Sequence, residues 1–246
     1  MSLKIIAIGN SFSEDSTRYL HQIAYADRLD IKVACLYRGG CSLEQHYYNM
    51  LGDIKDYVFI QNGVSTGLPA SIREGLTSDE WDIAVMQQVS NLSFDYATYQ
   101  PYLNELGKYV RHYSPGAAQV INQTWAYPAG SERLASVGFS DPDDMYAGLT
   151  GAYLRAKTDL RAEVLIPCGL AVKTAIAKGY TGMYRDELHM SMGGGRYLLG
   201  LVWYGALGFK GNIANNAFDR FDGEVNAGDV SLLKQCAVKA LETFLE

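Results

Sequence analysis

Lys4-Ile5-Ile6-Ala7-Ile8 is an unbroken apolar run that passes directly into Gly9-Asn10-Ser11-Phe12-Ser13. A strand that is apolar on both faces has to be covered on both faces, which is the setting of a parallel strand inside a layered α/β domain. The helical pattern that follows, over residues 14–28, puts Tyr19, Leu20, Ile23 and Ala24 on one face. Ser13 is placed to cap that helix, and Glu14 and Asp15 suit the positive end of its dipole. A second apolar run over residues 31–36 completes a strand–helix–strand opening, and the natural product is a parallel sheet.

The alternation continues along the chain. Gly39-Gly40 marks a tight turn, and residues 43–51 and 71–76 read as short helices. Residues 57–60 read as one strand of a small hairpin around Asn62-Gly63. Main strands are expected at 81–86, 119–122 and 164–166, with helices over 98–113, 144–163, 170–178 and 229–244. An apolar helix should also follow Gly193-Gly194-Gly195. The pattern predicts a three-layer α/β/α sandwich with a mainly parallel five-stranded sheet. It reads as one domain over 1–246, with insertions near 41–80 and 124–144.

Composition narrows the function classes. With 246 residues, 48% of them apolar, the chain can bury one sizeable core. The net charge of −6 and the lack of a basic stripe argue against a nucleic-acid partner. No apolar run reaches membrane-spanning length. The first strand starts almost at once and leaves no room for a signal peptide in the sequence as it stands, so the compartment is left open. Cys35, Cys41, Cys168 and Cys236 lack metal-ligand spacing and give no disulfide framework, so buried thiols are expected. There is no HExxH, and Asp186 with His189 alone would be too few ligands for a catalytic zinc. No metal or cofactor is expected.

Ligands of open α/β sheets sit outside the carboxyl ends of the strands. Ser11, Gly40 and residues 88–91 each follow a predicted strand and should gather there. A serine hydroxyl needs a base before it is a useful nucleophile. Of four histidines, His21 and His112 fall within predicted helices, and His46 sits in a short helix beside two tyrosines. All three read as partly exposed side chains. His189 instead lies in a loop, three residues after Asp186, a spacing that lets one turn of chain bring the carboxylate to Nδ1. The same pair could simply cap the helix that follows. Donors for an oxyanion are available from the backbone N–H of Ser11 and of Gly40, with a side-chain amide after the third main strand as a further candidate.

These segments resemble the four sequence blocks of the SGNH/GDSL hydrolase superfamily. Gly9-Asn10-Ser11-Phe12-Ser13 is similar to its first block, with Asn10 where aspartate is usual. Gly40 matches the second-block glycine. Residues 81–91 resemble the third block, in a register that puts Asn91 on its asparagine. Val89 stands where that block has glycine and Leu92 where it has a second polar residue, which makes Gln88 an alternative amide donor. Asp186-Glu187-Leu188-His189 resembles the final Asp-x-x-His block. The resemblance implies a flavodoxin-like fold and esterase-type hydrolysis. It implies Ser11 as nucleophile, His189 as base, Asp186 as its partner, and Ser11, Gly40 and Asn91 as the oxyanion hole.

Competing readings follow from the same residues. Ser11, Ser13, Ser16 and Thr17 could form an anion-binding loop, although Glu14 and Asp15 in the same turn would repel phosphate. A catalytically impaired SGNH-like domain that recognises a sugar or anion is another. An α/β-hydrolase elbow would need glycine where Ser13 stands. Among eighteen tyrosines, Tyr47, Tyr48, Tyr96, Tyr99 and Tyr127 lie in segments near the proposed site and could stack on sugar rings. The substrate expected is a small acyl ester, acetyl first, on a small molecule or carbohydrate, with the two insertions roofing the pocket.

Overall fold

Residues 5–8 have no solvent exposure, as a strand covered on both faces requires. The computed structural model describes residues 2–245 and places this run in the middle of one sheet. The strands are β1 (Leu3–Gly9), β2 (Ile31–Tyr37), β3 (Tyr57–Gln61), β4 (Val64–Ala70), β5 (Ile83–Met86), β6 (Ala118–Asn122) and β7 (Val164–Ile166). Their spatial order is β4-β3-β2-β1-β5-β6-β7.

Five of these strands, β2-β1-β5-β6-β7, are parallel. The sheet has seven strands, not the five expected, because the β3–β4 hairpin pairs antiparallel onto β2, with Ala34 opposite Gln61. Its turn is Asn62-Gly63, with φ of 52° and 79°. Both values lie in the left-handed region, as a two-residue type I′ connection demands. The hairpin therefore extends the sheet sideways and does not roof the strand ends.

The helices are α1 (Ser11–Thr17), α2 (Leu20–Ala26), α3 (Leu43–Leu51), α4 (Ile72–Thr77), α5 (Tyr102–Tyr113), α6 (Glu132–Ser136), α7 (Pro142–Leu160), α8 (Cys168–Ala177), α9 (Gly194–Tyr204) and α10 (Ala227–Leu245). Helices α1, α2, α8, α9 and α10 pack together on one face of the sheet, and α3, α4, α5 and α7 on the other. This is the three-layer α/β/α arrangement. The chain winds outward from β1 in one direction and from β5 in the other. The switch point thus lies between β1 and β5, where the carboxyl ends leave a crevice.

The first helix differs from its expected course. The pattern over residues 14–28 forms two helices, interrupted at Arg18 and Tyr19. A Cβ on Gly63 would lie 2.2 Å from the Arg18 carbonyl oxygen, so the hairpin turn packs directly on the interruption. The start also lies earlier than expected, and Asn10 rather than Ser13 is the cap, accepting a hydrogen bond from Phe12 N at 3.0 Å. All four cysteines are buried free thiols. Among the described residues, no helix is long and apolar enough to cross a membrane.

Candidate active site

The strand-to-helix junction is tight at Gly9. A Cβ on Gly9 would lie 1.9 Å from Ser13 Oγ, so glycine is required where β1 hands over to α1. Asn10 then caps α1, which makes Ser11 the first helical residue. Its N–H is one of the amides that a helix start leaves without an intrahelical acceptor, and its hydroxyl stands at the carboxyl edge of the sheet.

His189 reaches that edge from a short hairpin closed by an antiparallel bridge between Tyr184 and Met190. His189 Nε2 lies 2.9 Å from Ser11 Oγ. On its other side, His189 Nδ1 lies 2.8 Å from Asp186 Oδ2. The second carboxylate oxygen, Oδ1, accepts from Leu188 N at 2.8 Å and His189 N at 2.7 Å. Asp186 therefore holds both the ring and the backbone of the histidine. Partial burial pushes its carboxyl up, but the hydrogen bonds from His189 and Leu188 outweigh this and hold it down, at about 2. An ionised carboxylate accepts from Nδ1–H, which leaves Nε2 as the acceptor facing the serine. The Asp186 side chain is 46% exposed and that of His189 23%, so the relay opens to solvent.

The sequence family described as a domain of unknown function, DUF4886, matches residues 4–240. The chain belongs to the DUF4886 family. A DUF4886 family protein from Bacteroides uniformis is 28% identical, with a TM-score of 0.90 over 98% of this chain and 95% of its own. A candidate SGNH hydrolase from Slackia heliotrinireducens aligns at a TM-score of 0.60 and 24% identity, over 85% of this chain and all of its own. The family 3 carbohydrate esterase of Clostridium thermocellum aligns at 0.52 and 13% identity, over 84% of this chain and 95% of its own. Among curated proteins, none matches the sequence. The DUF4886 chain thus has the fold of the SGNH/GDSL hydrolases.

The other predicted positions of the DUF4886 chain divide. Gly40 is exposed in a turn closed by Cys41 N to Arg38 O at 3.2 Å. Its φ of 63° is the left-handed value that the third residue of a type II turn needs. Asn91 is exposed on a short 3₁₀ turn, Ser90–Leu92. Gln88 is fully buried, and its amide nitrogen donates to Thr98 O at 3.0 Å and Thr98 Oγ1 at 3.1 Å. Its oxygen accepts from Leu43 N and Val89 N. Gln88 is a brace between loops, with no donor left for a ligand. Tyr99 and Tyr127 are core residues, hydrogen bonded to Ser93 O and to Ser90 Oγ. Tyr48 is exposed, and Tyr47 packs against it.

Sequence reasoning missed a buried chain of amides beneath the site. Trp203 Nε1 donates to Asn122 Oδ1 at 3.0 Å, and Asn122 Nδ2 to Gln87 Oε1 at 2.6 Å. Gln87 Nε2 donates to Asn10 Oδ1 at 2.9 Å, and Asn10 Nδ2 to Cys41 O at 3.0 Å. The chain ties the ends of β1, β5 and β6 to the residue after Gly40. Its one visible sign was polar residues placed immediately after apolar strands.

Proposed function

We propose that the DUF4886 chain is a serine carboxylic-ester hydrolase that works through an acyl-enzyme. The observation that carries this reading is the continuous relay from Asp186 through His189 to Ser11, at 2.8 Å and 2.9 Å. Ser11 Oγ attacks the ester carbonyl carbon while His189 Nε2 takes the hydroxyl proton. The tetrahedral intermediate collapses, the carbon–oxygen bond to the alcohol breaks, and His189 returns the proton to the leaving oxygen. Water then attacks the acyl-serine by the same route and releases the acid. Asp186 fixes the ring and stabilises the imidazolium that forms in each half-reaction.

The N–H groups of Ser11 and Gly40 are assigned as oxyanion donors, with the Asn91 side chain as the third. Each donor of this kind contributes about 2.7–4 kcal/mol to the transition state. A small acyl group on a carbohydrate is the substrate class we favour. The exposed Tyr48 ring on α3 and the shared fold of a family 3 carbohydrate esterase support it.

A fluorophosphonate probe tests the nucleophile: it should label Ser11, and Ser11→Ala should abolish labelling. A folded protein that the probe leaves unmodified would refute the hydrolase reading. Relative turnover of p-nitrophenyl acetate, longer p-nitrophenyl esters and an acetylated sugar then tests the substrate class.

A further inference from the structure

Asp15 lies one helical turn after Ser11 on α1, and its side chain is fully buried. A carboxylate removed from water is costly unless every lone pair finds a strong donor, so its partners indicate what it is for. Oδ1 accepts from Arg185 Nη1 and from Arg196 Nε, both at 2.8 Å. Oδ2 accepts from Met190 N at 3.0 Å. Arg185 immediately precedes Asp186, and Met190 immediately follows His189. Two of the three donors therefore bracket the segment that carries the base and its partner.

The bracket is closed on itself as well. Arg185 Nη1 also donates to Met190 O at 2.5 Å, and Arg185 N to His189 O at 3.0 Å. Arg196 on α9 completes the cluster and faces Asp222 at 3.9 Å. Resting on the hydrolase reading above, we propose that Asp15 and Arg185 are positioning residues that set the distance between Ser11 Oγ and His189 Nε2. The same helical turn that presents the nucleophile grips the hairpin that presents the base. The two reacting groups thereby share one rigid reference although they are far apart in sequence.

Arg185 offers the cleaner test, because its side chain is 28% exposed and its loss leaves Asp15 paired with Arg196 and Met190 N. Misplacing a reacting group by about 1 Å can cost on the order of 100-fold in rate, so Arg185→Gln should lower kcat at least tenfold. KM for p-nitrophenyl acetate should stay within about twofold, since neither residue is assigned to substrate contact. Arg185→Lys should recover part of the rate. The downfield proton resonance of His189 Nδ1–H, assigned by its loss in His189→Gln, should be sharp in the wild type and broadened in Arg185→Gln. Asp15→Asn should act in the same direction.

A variant that melts earlier yet keeps both kcat and the resonance would overturn the proposal and leave the cluster a stability element. If the wild type neither turns over esters nor reacts with a fluorophosphonate, the hydrolase reading fails. The resonance still decides whether Arg185 orders the His189 ring: a sharp signal in Arg185→Gln refutes the positioning role on its own.

Discussion

Phe12 lies flat against Trp125, with ring centroids 4.0 Å apart and planes within 4° of parallel. Phe12 follows Ser11, and Trp125 Nε1 donates to Leu188 O at 2.8 Å, one residue before His189. The edge of the Phe12 ring also meets the imidazole, at 6.0 Å between centroids. The His189 hairpin is thus held by an aromatic stack as well as by the ion cluster around Asp15. Trp125→Phe keeps most of the stack and leaves the Leu188 carbonyl without this donor, and should cost about 1–2 kcal/mol. Trp125→Ala removes a large buried side chain and should cost about 3–5 kcal/mol. Urea unfolding midpoints for the two variants check the order.

Asp186→Asn should separate chemistry from folding. The amide favours the wrong imidazole tautomer, and the expected loss in kcat is as much as about 10⁴-fold. The melting temperature should move little, because the side chain is nearly half exposed. The pH dependence has a defined sign. The carboxyl is held at about 2 when folded, against about 3.9 for a free aspartate. Its contribution to stability is complete above the unfolded value and is lost as pH falls through the folded one. Asp186 stays ionised across the working range, so no protonation on the acid side of the pH–rate profile should belong to its carboxyl. A second acidic limb that disappears in Asp186→Asn would contradict this.

Gln87 is the middle member of the buried amide chain, with Asn122 on its oxygen and Asn10 on its nitrogen. Gln87→Leu fills a similar volume but leaves the Asn122 amide unpaired in the interior. The expected loss is about 1–3 kcal/mol. Replacing Asn122 with leucine in the same chain removes the stranded donor and should give less than the sum of the two single losses. A double-mutant cycle measured by chemical denaturation decides this.

His46 should make stability fall in mild acid. Burial, with the charge of Arg38 adding to it, pushes the imidazole down to about 3. Its Nδ1 contacts the Tyr57 hydroxyl at 2.8 Å and Cys41 Sγ at 3.4 Å, while Nε2 is buried with no hydrogen-bond partner among the described residues. The unfolded chain takes up this proton below about pH 6.5 and the folded chain does not until near pH 3, so stability rises with pH across that window. The slope from this one group is about 1.4 kcal/mol per pH unit. Unfolding free energies of the wild type and His46→Gln, compared through the window, should differ in slope by that amount.

The five parallel strands were legible because apolar runs bounded by turn residues have few other uses. The Asn62-Gly63 turn also announced its hairpin. That the hairpin would join the same sheet was not legible, since backbone pairing of β3 with β2 leaves no side-chain signature. His46 was misread although the signal was there. It shares the buried face of α3 with Leu43 and Met50, at a spacing of three and four residues. Asp15 was read as an acid suiting a helix dipole. Its true partners lie 170 to 181 residues away, and no local pattern can report a pairing of that range. Ser11, Asp186 and His189 were visible because their spacing is short within each segment. The commitment of Gln88 to Thr98 was not, because an amide looks the same whether it faces a ligand or a loop.

Ser11 and His189 are hydrogen bonded across a sequence separation of 178 residues. During synthesis the hydroxyl is made early and its imidazole partner late. A nascent chain, or a fragment truncated before Asp186, carries the serine without the imidazole it pairs with. The relay is assembled only when the hairpin that carries Asp186 and His189 has wrapped back over the sheet edge, so the pairing of Ser11 with His189 reports a late long-range step of folding.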